Sequence, residues 1–373
     1  MWISRKFLRK NSGTMNKKVW VEINTKALRK NIFTLRSHIG GKVKLLAVIK
    51  SNAYGHGLIA FSQAAVSGVD GFCVDSVIEG IKLRRAGIKK TILVLGPTLH
   101  KDDIKKARRE KITLSVSSMD ALRELSRSVY PPAIHIKIDT GMHRQGIYIA
   151  DLKKALALIK QKNLPLVGIY THFAFVKNPK HKGFTKVQSV QFTKAFEIAK
   201  EMGFSRLLRH AAATRATFDG RTYLFDAVRV GKGLYGLWSK KGLTPVLSWR
   251  TRISEIKNVP KGAYVGYDLT ERVKKNVRIA VLPIGYWHGF PRSLSSHGEV
   301  LIRGRRARVV GRVSMDLTVV DITNINARVG DVVTLIGESG KNRITAEEFG
   351  EKAHMSNSES TTHINPLIER ILT

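Results

Sequence analysis

The sequence predicts an α/β protein, a (β/α)8 TIM barrel followed by a mostly-β C-terminal domain. Three observations carry this. Eight short apolar runs recur up to about residue 230, most of them separated by helix-like segments. Past about residue 245 helical periodicity fades, and short strands with glycine turns take over. The residues best suited to chemistry follow the apolar runs, on the face where barrel enzymes carry their sites.

The ordered chain opens with Val19-Trp20-Val21-Glu22-Ile23. Leu28, Ile32, Leu35 and Ile39 then fall on one helix face. Leu45–Ile49 is a continuous apolar run, the signature of a strand buried on both faces. The further runs are Gly71–Val74, Ile92–Leu95, Ile112–Val116, Ile134–Ile138, Leu166–Tyr170, Arg206–Leu208 and Ala227–Val230. Ser76–Ala86 and Val190–Met202 are among the helical segments between them. In the second region the expected strands are Val300–Ile302, Arg308–Val310, Leu317–Ile322 and Val332–Ile336. A helix near Thr345 is expected from the capping-box spacing of Thr345 and Glu348. The expected division is a basic extension over 1–18, a barrel over 19–245 and a β domain over 246–373.

A chain of 373 residues exceeds one ordinary core, which agrees with two domains. No apolar run approaches the roughly 20 residues of a membrane span. The single cysteine, Cys73, lies in an apolar run and reads as a buried structural thiol; a reducing cytoplasm fits this usage. Residues 1–18 carry six basic residues and no acid, without the apolar stretch of a secretory signal. A transit peptide, a basic tail or an alternative start at Met15 all remain open. With 65 Lys+Arg against 28 Asp+Glu, the formal charge is +37. Nucleic-acid binding is one reading of that charge and a generic basic surface the other. The basic residues are spread through both halves with no zinc-finger or RNP-type signature, which favours the generic surface. No metal-ligand pattern emerges among the 12 histidines, so His143 and His210 read as local hydrogen-bonding groups.

Lys50 follows the first barrel run in Ala47-Val48-Ile49-Lys50-Ser51-Asn52-Ala53-Tyr54-Gly55-His56-Gly57. A lysine at the end of a buried strand is partly desolvated, which favours the free amine that Schiff-base chemistry needs. Arg144 lies past the fifth run, His172 ends the sixth, His210 and Thr214 follow the seventh, and Arg229 ends the eighth. The string around Lys50 closely resembles the cofactor-attachment motif of the alanine racemases. Further blocks resemble the same family, in the family's order: Lys137–Arg144, Tyr170–Ala174, Val228–Gly231, Leu282–Tyr286, Val310–Asp316 and Gly330–Val333. The resemblance covers nearly the whole chain, from Val19 to about His363.

The resemblance implies a pyridoxal 5'-phosphate enzyme that interconverts L- and D-alanine in a homodimer with shared sites, supplying D-alanine for peptidoglycan in the cytoplasm. It implies that Lys50 carries the cofactor and acts as one base, and that Tyr267, in Gly266-Tyr267-Asp268, acts as the other from the partner subunit. Two bases on opposite faces suit a racemisation. Arg229 would donate to the pyridine nitrogen, with His172 linking it to the tyrosine. Tyr54, the Thr214 hydroxyl and the amides of Gly231 and Lys232 would hold the phosphate. Arg144 and the Met315 backbone would take the substrate carboxylate. Lys137 matches a lysine that is carbamylated in some relatives.

Two positions depart from the family pattern. Ala213-Thr214 stands where Asn-Ser is usual, and Asn357-Ser358-Glu359 where Asn-Tyr-Glu is usual. The second removes a tyrosine that normally reaches the phosphate and narrows the entrance. A serine racemase of wider range and a non-catalytic cofactor carrier are therefore the alternative readings; Tyr267 and the β domain argue against the carrier. No specific nucleic acid, no membrane and no metal is expected. Gly231-Lys232-Gly233-Leu234-Tyr235-Gly236 fits GxGxxG, but it follows the last strand of the alternation and not the first strand of a dinucleotide-binding unit.

Overall fold

A computed structural model of the chain describes residues 17–174, 181, 183–238 and 242–373. Most of the basic extension, residues 1–16, therefore lies outside the described residues. Eight parallel strands form a closed barrel: Lys44–Val48, Gly71–Val74, Thr91–Val94, Thr113–Val116, Ile134–Asp139, Leu166–Tyr170, Leu208–Ala213 and Ala227–Val230. Closure is made where the last strand pairs with the first, Ala227 opposite Lys44. Helices on the outside return the chain from each strand to the next.

Two apolar layers follow from strand alternation. Leu45 and Ala47 face outward into the main core with Phe72, Ile92, Leu114 and the helix residues Leu28, Ile32 and Leu35. Leu46, Val48, Cys73, Leu93 and Ala227 form a separate small cluster, the alternate set that fills one side of the barrel interior. Cys73 is fully buried there, and burial pushes its thiol up to about 12, as befits a structural cysteine. The other side of the interior is polar. His135, Lys137 and Asp139 alternate with Ile134, Ile136 and Ile138 along the fifth strand. A side chain at Gly168 would collide with the His135 ring at 2.5 Å, so this glycine makes room for the imidazole.

The seventh strand differs from expectation. The apolar run at Arg206–Leu208 marks only its approach; the strand itself is Leu208–Ala213. His210 thus lies inside the barrel wall instead of after it. The physical reason is that three small alanines and an inward histidine contribute little hydrophobic signal, although His210 pairs with both neighbours and Ala213 with the eighth strand across a register shift.

The second unit has a seven-stranded sheet, a three-stranded sheet and a short hairpin, Tyr264–Val265 with Glu271–Arg272. The seven-stranded sheet takes in Val19–Ile23, which pairs antiparallel with Leu247–Arg252 and parallel with Glu369–Leu372. Both ends of the described chain therefore meet in this sheet, around the buried Trp20 and Trp249. The strand expected at Arg308–Val310 instead spans Arg305–Arg308. Arg303 and Gly304, both at positive φ, make a two-residue hairpin that brings Arg305 opposite Ile302. The helix near Thr345 runs from Ala346 to Ala353, and Thr345 Oγ1 accepts from the Glu348 N–H at 3.0 Å. Glu348 turns to Arg306 and does not close the box. The next helix, Asn357–Thr362, has the full reciprocal box between Ser356 and Glu359. No helix among the described residues is long and apolar enough to cross a membrane.

Candidate active site

A cavity of about 1450 Å³ opens at the C-terminal ends of the barrel strands. Lys50, Tyr54, Arg144, His172, Thr214, Arg229, Gly231 and Lys232 all line it. Its far wall comes from the second unit, through Glu347, Glu351, Met355, Ser356 and Asn357. Tyr267 and Met315 do not line it; they are 69% and 53% exposed on the second unit's surface.

Lys50 enters the cavity from an unusual backbone. Ser51, Asn52, Ala53 and Tyr54 have φ of 56°, 55°, 53° and 52°, a left-handed turn of four non-glycine residues. Left-handed geometry costs roughly 1–2 kcal/mol per residue, so the surroundings must enforce it. Asn52 Oδ1 accepts from the Leu58 N–H at 2.8 Å, and the Asn52 N–H donates to Glu79 at 3.2 Å. Gly55, at φ 83°, has no room for a side chain, because a Cβ would sit 1.8 Å from the Thr361 carbonyl oxygen. The Lys50 side chain is 39% exposed, and Nζ stands 3.6 Å from Asp75 Oδ1. It is thus less desolvated than its place after a buried strand suggests.

The turn also sets Tyr54. Its ring packs on Tyr235 with centroids 4.9 Å apart, and its hydroxyl lies 3.0 Å from where a Cβ on Gly231 would be. Gly231 is therefore a close approach of backbone to the Tyr54 hydroxyl. Thr214 Oγ1 accepts from the Gly233 N–H at 3.1 Å, which leaves the hydroxyl hydrogen to donate elsewhere.

Arg229 is buried in the barrel interior. It donates to the carbonyls of Thr171, His210 and Ala211 at 2.7, 3.0 and 3.1 Å, and meets His210 Nδ1 at 2.7 Å and His172 Nδ1 at 3.4 Å. It stacks over the Tyr170 ring at 4.9 Å and makes no ion pair among the described residues. His210 Nε2 in turn meets His135 Nδ1 at 2.7 Å. Burial first, then the Arg229 charge, hold His135 and His172 down to about 3 and His210 well below the ordinary range. All three imidazoles are neutral at neutral pH. A file of neutral rings thus fixes a buried cation without cancelling its charge. Reading His210 as a local hydrogen-bonding group holds, but His135 and Tyr170 were missed. The His-Ile-Lys-Ile-Asp alternation of the fifth strand was the available signal.

Arg144 is placed by its loop. Asp139 Oδ1 accepts from the N–H groups of Gly141, Met142 and His143 at 2.9, 3.0 and 3.1 Å. Lys137 donates to Gln145 Oε1 at 3.1 Å. Burial, then the cations of Arg144 and Arg229, lower Lys137 to about 8. Asn357 accepts from Lys232 at 3.1 Å and donates to the Leu237 carbonyl at 2.7 Å, tying the second unit to the loop after the eighth strand. Ser358 does not line the cavity; its hydroxyl lies 3.4 Å from Ser356 Oγ. No group of three or more His, Cys, Asp and Glu residues suited to a metal occurs among the described residues.

Fold and cavity together define a barrel enzyme whose chemistry sits at the strand C-termini and whose site carries several lysines and arginines with the neutral His172. Residues 23–239 match the alanine racemase N-terminal domain and residues 246–372 the alanine racemase C-terminal domain. The chain is 34% identical to the alanine racemase of Leptospira interrogans across 97% of this chain and 98% of that one. It is 36% identical to that of Methanococcus maripaludis, across 95% and 98%. The crystal structure of the Bacillus anthracis alanine racemase with bound L-Ala-P superposes with a TM-score of 0.89 at 32% identity, covering 96% of this chain and 95% of that one. The chain belongs to the alanine racemase family, a family of isomerases.

Proposed function

We propose that this protein interconverts L-alanine and D-alanine with pyridoxal 5'-phosphate held on Lys50. The observation that carries this reading is the convergence of Lys50, Tyr54, Arg144, His172, Thr214, Arg229, Gly231 and Lys232 on one cavity. The donor set suits a phosphorylated, anionic aromatic aldehyde. It offers an amine for attachment, a tyrosine and a threonine hydroxyl beside a glycine that leaves backbone open, and a buried guanidinium for a ring nitrogen. When bound, the cofactor supplies an electron sink that acidifies the substrate Cα–H.

The chain's own groups do the rest. Lys50 Nζ takes or returns the proton on one face, and Tyr267 Oη of the partner subunit serves the other. Arg229 keeps its proton and donates it as a fixed hydrogen bond. His172 stays neutral and can link Arg229 to the incoming tyrosine. Arg144 offers two parallel donors to the substrate carboxylate, with the Met315 backbone of the partner subunit on the other side. The homodimer with shared sites is supported by the exposure of Tyr267 and Met315 away from their own cavity. We assign the division near residue 245 to a cofactor-holding barrel and a β domain that serves the partner. D-alanine supply for peptidoglycan, in the cytoplasm, is the role this activity fits.

A second reading, a wider range that includes serine, is favoured by one observation. Ser358 leaves the cavity rim without the tyrosine expected at that position. The test is direct. The purified protein should show the visible absorbance of a lysine-bound cofactor and convert L- to D-alanine. A colourless protein that gains no colour with pyridoxal 5'-phosphate and turns over no small amino acid would refute the proposal.

A further inference from the structure

Arg370 sits on the last strand, Glu369–Leu372, at the opposite end of the sequence from Lys50. Its guanidinium leaves that strand and reaches the turn that follows Lys50. Nε and Nη2 both donate to the Gly55 carbonyl, at 3.1 and 2.9 Å. Nη2 also donates to Ile364 O at 3.0 Å, and Nη1 to Asn365 O at 2.7 Å and to Ile368 O. An arginine has five N–H hydrogens, and these bonds use all five. Every acceptor is a backbone carbonyl, and Arg370 makes no ion pair among the described residues. Its stem lies on Gly57, where a Cβ would meet Arg370 Cγ at 2.9 Å.

The C-terminal segment could be closed more simply by an apolar side chain. What a guanidinium adds is the pair of bonds to Gly55 O. Gly55 ends the left-handed turn, directly after Tyr54 and five residues from Lys50. The same glycine is pinned from the other side by Thr361, whose carbonyl leaves it no room for a side chain. A strained segment persists only where its surroundings hold it. Besides Leu58 and Glu79 on Asn52, the holding groups at Gly55 come from residues 361–370, at the far end of the chain. We propose that Arg370 is a positioning residue that locks the left-handed turn Ser51–Gly55, and through it the placement of Lys50 and Tyr54. It touches neither substrate nor cofactor. Burial lowers its guanidinium to about 10, so at neutral pH it remains a cation with all five hydrogens.

The turn readout below is independent of function; only the cofactor readout rests on the reading proposed above. The full-length protein is compared with Arg370→Met, which keeps the stem, and Arg370→Lys, which keeps the charge. Hydrogen exchange is followed at the amides of Ala53, Gly55, His56 and Gly57, all bonded within the turn. In Arg370→Met their protection should fall at least about tenfold, while the barrel strands and the Thr373 amide on Ile23 O keep theirs. Titration with pyridoxal 5'-phosphate should then show at least about tenfold weaker binding, and kcat should fall with KM for alanine within about threefold. Unchanged turn amides, or a loss spread evenly over the second unit's sheet, would overturn the proposal. If Arg370→Met does not fold, Arg370→Lys read by the same exchange decides it and should also lose turn protection, since an ammonium has three N–H hydrogens for the five bonds that the guanidinium makes. A wild-type protein that takes up no cofactor would sink the proposed function, and the exchange pattern would still decide the lock.

Discussion

The barrel mouth and the exposed face of the second unit carry the two halves of the proposed machinery, and they are built in opposite ways. At the mouth, Arg229 is buried and held by five contacts, Thr214 is bonded to Gly233, and the Lys50 turn is strained but pinned on both sides. On the other face, Tyr267 and Met315 stand in solvent beside exposed Leu269, Tyr286 and Trp287. The mouth is preorganised within one chain, whereas the face presents its residues outward. The difference teaches that a group fixed by its own chain's hydrogen bonds is ready for chemistry alone. A group left exposed needs a second surface to give it a defined place.

The sharpest break in that comparison is Lys50→Ala. It should abolish covalent cofactor binding and lower racemisation by at least about a thousandfold in both directions. Borohydride reduction followed by peptide mapping checks this; a labelled lysine elsewhere would place the cofactor on another residue. Tyr267→Phe comes next, with a loss of about a hundredfold or more in kcat and unchanged cofactor content. Mixing Lys50→Ala and Tyr267→Phe subunits should restore part of the activity, because one site in each heterodimer would be intact. No recovery despite demonstrated subunit exchange would count against the exposed face serving a partner.

Ser358→Tyr should tighten the cofactor by roughly tenfold, from one added hydrogen bond to a charged group worth about 1.5–3 kcal/mol. It should also reduce serine turnover relative to alanine. Paired titrations and kinetics on both forms decide it; no change in either would mean that another side chain already fills that place.

A last effect, on stability, concerns the neutral histidines. In the unfolded chain a histidine takes up a proton near pH 6.5, whereas folded His56, His135 and His172 resist it to about 3. The unfolded state therefore binds more protons across that window. Stability should be complete above pH 6.5 and fall as the pH drops towards 3. Melting temperatures between pH 7 and 4 test this, and His135→Asn should show a shallower decline. A flat profile would mean that these rings are protonated in the folded state.

Much of this was legible in the chain. The strand run at Gly71–Val74 is continuously apolar and that at Ala227–Val230 is apolar except for Arg229, so burial on both faces could be read directly from them. The seventh strand was read short because His210-Ala211-Ala212-Ala213 carries little apolar signal, although its backbone pairs on both edges. Lys50, Tyr54 and Arg229 could be named because their motifs are local. For His135 the strand alternation signals an inward side chain but not its role, which depends on His210, 75 residues away, and on the space left by Gly168.

By itself the sequence determined the strand–helix alternation, the change of texture near residue 245 and the identity of the lysine after the first strand. These depend on periodicity and short motifs, which act over a few residues. Only the tertiary structure decided the left-handed turn after Lys50, the charge-preserving file of histidines behind Arg229 and the joining of both chain ends in one sheet. Each of these depends on contacts made tens to hundreds of residues away. Local preference opposes four consecutive left-handed residues, and Thr361 and Arg370 overrule it by packing on Gly55 and binding its carbonyl.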